Sequence, residues 1–209
     1  MDIFTAAGDY FVKGGVVMYP LLFLSLAAVA ISVERWLFFR ENDNGRDFAK
    51  KFCSLIESGE REEAKEMADK TKGEMAKFAT VVIDRHEHFA MPENFITVRA
   101  ERALDKFERN LSYLNVIVTL SPVLGLLGTI TGMIGSFNAF SQRLDNPLAV
   151  TAGIGEALIT TVYGLSISIV AICMHAYFMR RLKKVALNVE EIGNTLLEVS
   201  DKKDEGEKS

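Results

Sequence analysis

Glu156 is an acidic residue inside an otherwise uncharged apolar stretch that runs from Asn146 to Met179. On a helix, Thr160 would follow it one turn later and Gly164 one turn after that. A carboxylate at bilayer depth is costly unless it faces a partner or an aqueous cavity, so this pattern is typical of an ion pathway. A place at the outer interface would also explain it, because the distance back from Arg180 is about 36 Å, slightly more than the hydrocarbon thickness.

Small and hydroxyl-bearing residues recur every three or four positions on two apolar stretches. The first row is Ser121, Gly125, Gly128, Thr129, Gly132, Gly135 and Ser136. The second row is Gly153, Ala157, Thr161, Gly164 and Ser168. Close helix packing explains the glycines fully. It explains the Thr129 and Thr131 hydroxyls less well, and these either bond a carbonyl one turn back or line a polar path. Pro122 is expected to free one backbone carbonyl of its helix.

No arrangement of residues typical of an enzyme is present in the sequence. His86 and His88 flank Glu87, but on a helix the two imidazoles would point about 200° apart and could not share a metal ion. His175 is most simply an interfacial residue near the end of an apolar stretch. The sequence therefore predicts no catalytic residue, no metal site and no cofactor.

Three apolar stretches must position these side chains. The chain has 209 residues with 24 Lys and Arg and 28 Asp and Glu, yet only Glu34, Arg35 and Glu156 of these charges fall within the stretches. The stretches are Gly14 to Phe39, Asn110 to Gln142 and Asn146 to Met179. Each exceeds the roughly 20 residues that a membrane-spanning helix needs. A net charge of -4 and the lack of a basic stripe argue against binding of nucleic acid.

We therefore predict an all-α membrane protein with three transmembrane helices, the second and third extended as long cytoplasmic helices. A small helical cytoplasmic segment lies between the first and second spans. The predicted divisions are an outer amino-terminal segment (1–15), transmembrane helices (16–39, 111–140 and 150–179), a cytoplasmic segment (40–110), an outer turn (141–149) and a cytoplasmic extension and tail (180–209). Apolar residues at spacings of three and four continue both long helices. Each such row of apolar residues, called a seam below, packs either within one subunit or between subunits.

Basic residues near the ends of the spans predict the orientation, because positively charged flanks stay in the cytoplasm. Only Lys13 precedes the first span, whereas four basic residues follow it closely. Only Arg143 lies between the second and third spans, whereas clusters precede the second and follow the third. The amino terminus is thus expected outside and the carboxyl terminus in the cytoplasm. The acidic start of the chain is unlike a cleaved signal peptide, so the first span is expected to be retained.

Two segments, Leu124 to Ile134 and Gly153 to Thr161, closely resemble the paired signature of the MotA/TolQ/ExbB proton-channel family. Glu34 and Arg35 also resemble the Glu-Arg dipeptide that this family carries at the inner end of its first span. Three spans favour the ExbB/TolQ branch over the flagellar stator branch, which has four.

The resemblance implies a homopentameric ring in the bacterial inner membrane, enclosing the single transmembrane helices of an ExbD- or TolR-like partner. The partner supplies an Asp that takes up and releases protons. By motif position, Thr129, Thr161 and Glu156 are implied to line the proton pathway. The glycines assigned to helix packing are Gly125, Gly128, Gly132, Gly135 and Gly164.

An ExbB-like role is the expected function, in which the complex and a TonB-like protein drive transport across an outer membrane. A TolQ-like role in envelope integrity is the close alternative. A membrane scaffold that organises partners without conducting protons is the alternative from a different class.

Overall fold

The computed structural model describes residues 15–88, 93–142 and 147–207. Within these ranges the side chains of residues 86–88, 93, 139–142, 147–150, 152, 156 and 200–207 lie outside the description. The described residues form helices joined by short turns, with no strand among them, which confirms the prediction of an all-helical fold. The helices are α1 (Met18–Asn42), α2 (Gly45–Glu57), α3 (Arg61–Lys70), α4 (Glu74–His88), α5 (Glu93–Glu108), α6 (Leu111–Gln142) and α7 (Pro147–Glu207).

Three of the described helices are long and apolar enough to cross a membrane, and they are α1, α6 and α7. Large apolar side chains such as Leu127, Val162 and Ile169 are exposed on α6 and α7. A helix that is apolar on every side is typical of a membrane span, because lipid covers the side chains that the protein leaves exposed. The chain is therefore a membrane protein with three candidate spans, as the apolar stretches predicted.

The chain divides into two compact units. The first contains the described residues up to Val33 together with Leu111–Ala176. Within this unit the small residues of α6 lie against α7, and Ser121, Ala157 and Thr160 are almost completely buried. Small side chains let the two helix backbones approach closely, which is the usual basis of helix pairing in membranes.

The second unit contains the described residues of Glu34–Asn110 and Tyr177–Ser209. Its core includes Phe39, whose ring centroid lies 5.2 Å from that of Phe107 and 5.7 Å from that of Phe178, and all three side chains are fully buried. The 3-4 seam at the end of α7 is also buried within the chain, and its residues are Val185, Val189, Ile192 and Leu196. This seam therefore packs within one subunit, which was one of the two interpretations open from the sequence.

Glu74 joins α4 to α5 in the second unit. Its carboxylate accepts a hydrogen bond from Lys106 Nζ at 2.5 Å and one from Lys77 Nζ at 2.8 Å. Burial alone would raise the pKa of Glu74, but the two ammonium groups outweigh it and hold the pKa below its usual value. The carboxylate therefore stays charged at neutral pH and holds the two helices together.

The predicted continuity of the long helices differs between the second and third spans. Helix α7 runs without interruption from Pro147 to Glu207, as the 3-4 pattern predicted. Helix α5, however, ends at Glu108, and a turn over Arg109 and Asn110 separates it from the start of α6. The apolar pattern continues across this turn, so it gave no signal of the break.

Candidate functional site

Glycines of α6 lie directly against small residues of α7. A Cβ atom on Gly132 would lie 2.9 Å from Ala157 Cβ, and one on Gly128 would overlap the methyl group of Thr160. A Cβ atom on Gly164 would lie 2.5 Å from the backbone oxygen of Ser121. Any side chain at these positions would force the helices apart, so their backbones are as close as glycine allows.

Thr161 of α7 forms a hydrogen bond across this contact to the backbone of α6. Its Oγ1 donates a hydrogen bond to the backbone oxygen of Gly125 at 2.9 Å. A Cβ atom on Gly125 would lie 3.1 Å from Thr161 Cα, so the glycine permits the approach that makes the bond. The hydroxyl predicted for the proton pathway is thus held in one orientation. Its hydrogen is used on Gly125, and its oxygen retains acceptor capacity.

Ser168 of α7 also donates a hydrogen bond to a backbone carbonyl of α6. A proline in α6 explains why this carbonyl is free to accept the bond. Pro122 has no N–H, so the carbonyl of Val118, four residues earlier, has no donor within its own helix. Ser168 Oγ donates to that oxygen at 2.7 Å. The sequence predicted the freed carbonyl but not its donor, which lies 50 residues further along the chain.

Ser168→Ala should destabilise the α6–α7 pair by about 1 kcal/mol, because the Val118 carbonyl then lacks its donor. Pro122→Ala restores an N–H within α6, so the loss should shrink when both substitutions are combined. Thermal unfolding of the four proteins in detergent measures this coupling. Ser166→Ala is the matched control, since that hydroxyl donates within its own helix to Val162 at 2.8 Å. Strictly additive effects of the two substitutions would contradict the assignment.

Thr129 lies on α6 next to Gly128, beside the contact with α7. Its Oγ1 donates to the backbone oxygen of Leu126 at 2.7 Å, and Thr131 Oγ1 similarly donates to Leu127 at 2.9 Å. Both hydroxyls therefore make the bond to a carbonyl one turn back that was one of the two sequence interpretations. A role for Thr129 in a proton pathway stays a prediction.

Glu156 lies on α7 one residue before Ala157, which packs against Gly132. A step of one residue is about 100° around a helix, so this position lies beside the packed row and not at its centre. Thr160, one turn further along, is only 1% exposed. Since the Glu156 side chain is outside the description, its role in proton transfer stays a prediction.

Gly135 differs from the other glycines of the row. A Cβ atom on Gly135 would meet no other atom within 4 Å, apart from its own helix and chain neighbours. Its predicted packing role therefore has no counterpart among the described residues of one chain, and packing against another helix stays a prediction for this position.

A cleft of about 390 Å³ lies between α1 and α7 in the first unit. Its lining includes Ser25 and Ser166, but both hydroxyls donate to carbonyls of their own helices, and the remaining side chains are mainly apolar. Among the described residues that line this cleft, Tyr163 alone has a titratable side chain.

Glu34 and Arg35, the predicted charged pair, are on α1, and their side chains contact the end of α5 in the second unit. Arg35 is 3% exposed, and its Nη1 donates to the backbone oxygens of Lys106 at 3.0 Å and Phe107 at 3.4 Å. Its other nitrogens bond Glu34, which in turn accepts a bond from Asn110 Nδ2 at 3.0 Å. In a continuing helix, backbone N–H groups of the next turn would donate to these two carbonyls. The Arg35 guanidinium donates to them instead, so α5 can end here with its last carbonyls hydrogen-bonded.

Arg35→Met should lower the free energy of unfolding by about 2–3 kcal/mol, because two buried carbonyls lose a charged donor. The last turn of α5 should also exchange its amide hydrogens faster. Hydrogen exchange followed by mass spectrometry measures this change in peptides covering residues 100–112. Arg40→Met is the matched control on α1, since Arg40 is exposed. Unchanged exchange in these peptides would contradict the capping role.

Among the described residues, no three His, Cys, Asp or Glu side chains lie close enough together to hold a metal ion. The predicted His86 and His88 arrangement falls on side chains outside the description. Cys53 is buried, and this burial raises the pKa of its thiol, so a reactive thiolate is disfavoured there.

These features define a helical membrane protein whose second and third apolar helices pair through glycines and interhelical hydroxyl bonds. The sequence model of the MotA/TolQ/ExbB proton channel family matches residues 59–191, and the chain belongs to this family. The family is one of proton channels.

Three relatives illustrate the similarity. The biopolymer transport protein ExbB-like 1 of Synechocystis is 35% identical over 179 residues, which cover 78% of this chain and 67% of the relative. The ExbB-like 3 protein of the same organism is 33% identical over 192 residues, covering 86% and 89%. The Tol-Pal system protein TolQ of Pseudomonas aeruginosa is 36% identical over 85 residues, covering 40% and 37%. The relatives therefore support the ExbB/TolQ branch.

Proposed function

We propose that the chain is an ExbB-like subunit of a proton-channel motor, which couples the proton motive force to TonB-dependent transport across an outer membrane. The observation that carries the proposal is the α6–α7 pair, in which the family's two motifs meet through glycines and the Thr161 bond to Gly125. The long matches to the ExbB-like relatives support the ExbB role. The match to TolQ favours a second candidate, a role in envelope integrity.

The proposed complex is a homopentamer around an ExbD- or TolR-like single-span partner, linked to a TonB-like protein. It lies in the bacterial inner membrane as a multi-pass protein, with the amino terminus outside and the carboxyl terminus in the cytoplasm. The spans proposed from the sequence are 16–39, 111–140 and 150–179. The clustering of basic residues near 40–51 and 180–184 supports this orientation.

The proposed path leads protons from outside past Thr129 and Thr161 to an Asp of the partner helix and then to the cytoplasm. Because the Thr161 hydrogen is used on Gly125, this oxygen can accept a hydrogen bond from water or from a protonated carboxyl. We assign it the role of an acceptor at a fixed point on the path. The backbone carbonyl of Gly125 accepts the hydrogen bond but cannot take up the proton and pass it on. Thr161 therefore does not transfer protons itself.

Movement follows from protonation in this proposal. A neutral Asp loses its electrostatic tie to the ring, and helices lined by small residues can then slide past it. Each proton that crosses about 100 mV releases about 2.3 kcal/mol, so a few protons suffice for a conformational step. Rotation of the ring about the partner is the proposed motion.

Thr161→Val should keep the shape of the α6–α7 contact while removing the hydroxyl, and proton flux through the complex should fall by about ten-fold. Thr161→Ser should retain most of the flux, since it keeps the oxygen. Flux is measured with a pH-sensitive dye in liposomes, at equal amounts of assembled complex. Full flux through the valine variant would show that Thr161 acts only in packing.

The ExbB and TolQ roles are separated by complementation. Cells lacking their own ExbB and TolQ homologues should regain TonB-dependent uptake of an iron–siderophore complex when they express this chain with its partner. The TolQ role instead predicts restored resistance to detergent without restored uptake. Restoration of neither phenotype, with the proteins present in the inner membrane, would favour the non-conducting scaffold and contradict the proposal.

A further inference from the structure

Helix α5 carries opposite charges on two of its sides. Arg99, Arg102 and Lys106 follow one another at spacings of three and four residues and share one side of the helix. The other side carries carboxylates at spacings of four and three residues, and these are Glu101, Asp105 and Glu108. In each row the first and last residues are seven positions apart, which is about 10 Å along the axis. The two rows therefore have the same length and nearly the same height.

The basic side of α5 forms one wall of a cleft of about 270 Å³, and α4 forms the other. Lys77 adds a fourth positive charge to this basic cleft, and among its described lining residues Glu74 is the only one with a carboxylate. Glu74 already bonds Lys77 and Lys106, whereas no ion pair engages Arg102 among the described residues. The basic cleft thus keeps an excess of positive charge, with the exposed apolar side chain of Val81 at its edge.

The acidic row differs from the basic row, in which Lys106 already bonds Glu74. Glu101, Asp105 and Glu108 are exposed, and none forms an ion pair within the part of the chain that the structure describes. Val98, 44% exposed, lies beside this row, so the acidic side also offers an apolar contact. The acidic row and the basic row, of which only Lys106 is already paired with Glu74 among the described residues, carry opposite charges and are complementary to each other in a second copy of the chain.

We propose that the acidic side of α5 in one copy docks into the basic cleft between α4 and α5 of the next copy. The two surfaces differ, so the contact is head-to-tail, which is the type that closes rings. If the copies are related by rotation about an axis parallel to α5, they all lie at the same height along that axis. The acidic row begins two residues after the basic row, so the two rows are then offset by only about 3 Å along the axis. This inference rests on the homo-oligomer of the proposed function and names the surfaces that form it.

An anionic lipid surface is the competing occupant of the basic cleft. Lipid headgroups would leave the acidic row of α5 without a role and would be repelled by it, since both are negative. A second copy uses both rows at once. The charge pattern of α5 therefore favours the contact between copies.

Two charge-reversal variants of the full-length protein test the docking. The acidic-side variant carries Glu101→Lys and Asp105→Lys, and the cleft variant carries Arg99→Glu and Arg102→Glu. Each should dissociate at about ten-fold higher protein concentration than the matched control, Glu62→Lys with Glu63→Lys on α3. Native mass spectrometry in detergent measures the assembly, and circular dichroism checks the helical content. If the cleft variant misfolds, Arg102→Glu alone replaces it.

Mixing the two variants under different affinity tags provides the decisive result. Each variant repels itself, but the two attract each other, so up to four of the five contacts in a mixed pentameric ring are attractive. The two variants should therefore copurify with each other far more than either does with itself. The preference should weaken in about 1 M salt, where charges are screened beyond about 3 Å.

Assembly of both variants like the control would overturn the inference, and so would weakened assembly that mixing does not improve. Unchanged assembly with lost binding to vesicles of phosphatidylglycerol would overturn it as well and assign the cleft to lipid headgroups. These outcomes leave the proposed proton flux of the wild-type protein untouched. Absence of flux through an intact wild-type ring would instead contradict the proposed function alone.

Discussion

Replacing Gly164 by leucine is expected to abolish the packing of α7 against α6 and to leave little assembled protein. A Cβ atom at this position already comes within 2.5 Å of the Ser121 backbone oxygen, and the backbone of α6 cannot move aside as a side chain could. Overpacking by small groups costs about 1–3 kcal/mol, and a leucine adds three further carbons. Size-exclusion chromatography of the detergent extract should show a loss of the oligomer.

A graded pair of substitutions provides the control for Gly164. Gly164→Ala should lower the melting temperature measurably, because even one methyl group meets the α6 backbone. Gly155→Ala, on the same helix, should leave it unchanged, since a Cβ atom there meets no other atom within 4 Å, apart from its own helix and chain neighbours. Equal melting temperatures for the two variants, or a leucine variant that assembles like wild type, would contradict the close packing.

Glu156→Gln should reduce proton flux by about 100-fold while leaving assembly intact, if this carboxylate exchanges protons on the pathway. Glutamine has nearly the same shape but cannot take up or release a proton at neutral pH. The flux is measured in liposomes at equal amounts of complex, with Glu190→Gln as the control on the same helix. Glu190 is exposed and lies outside the apolar stretch. Flux within about two-fold of wild type would contradict the assignment, since a loss of about 100-fold is expected.

The three candidate spans and the all-helical fold could be predicted from the sequence because they depend on local properties. A run of apolar residues longer than about 20 determines a span without knowledge of its neighbours. The rows of small residues on α6 and α7 were recognisable for the same reason. What they could not reveal is that Gly128 meets Thr160 and that Gly132 meets Ala157, because a row of small residues does not identify its partner.

Long-range polar contacts account for what the sequence did not predict. Ser168 bonds the carbonyl that Pro122 frees, across 50 residues of chain. Arg35 ends α5 from 71 residues away, at a point where Leu104, Phe107 and Leu111 continue the apolar pattern without a break. In both cases the donor is specified by tertiary packing, whereas periodicity reports only which face of a helix is apolar.

Charge segregation on α5 shows the opposite situation. The rows of Arg99 and Glu101 could be read from the sequence by helical spacing alone, but their significance depends on burial and on partners. Only the structure shows that the basic row lines a cleft with α4 and that the acidic row has no partner among the described residues. The charges of a surface indicate a binding partner only when the ion pairs that they form within the chain are known.

Proton entry into liposomes containing the chain with its single-span partner tests the central claim most directly. With an inside-negative potential of about 100 mV, the lumen should acidify faster than in protein-free liposomes, and only when both proteins are present. An intact complex of the two proteins in liposomes as tight to protons as lipid alone would contradict the account.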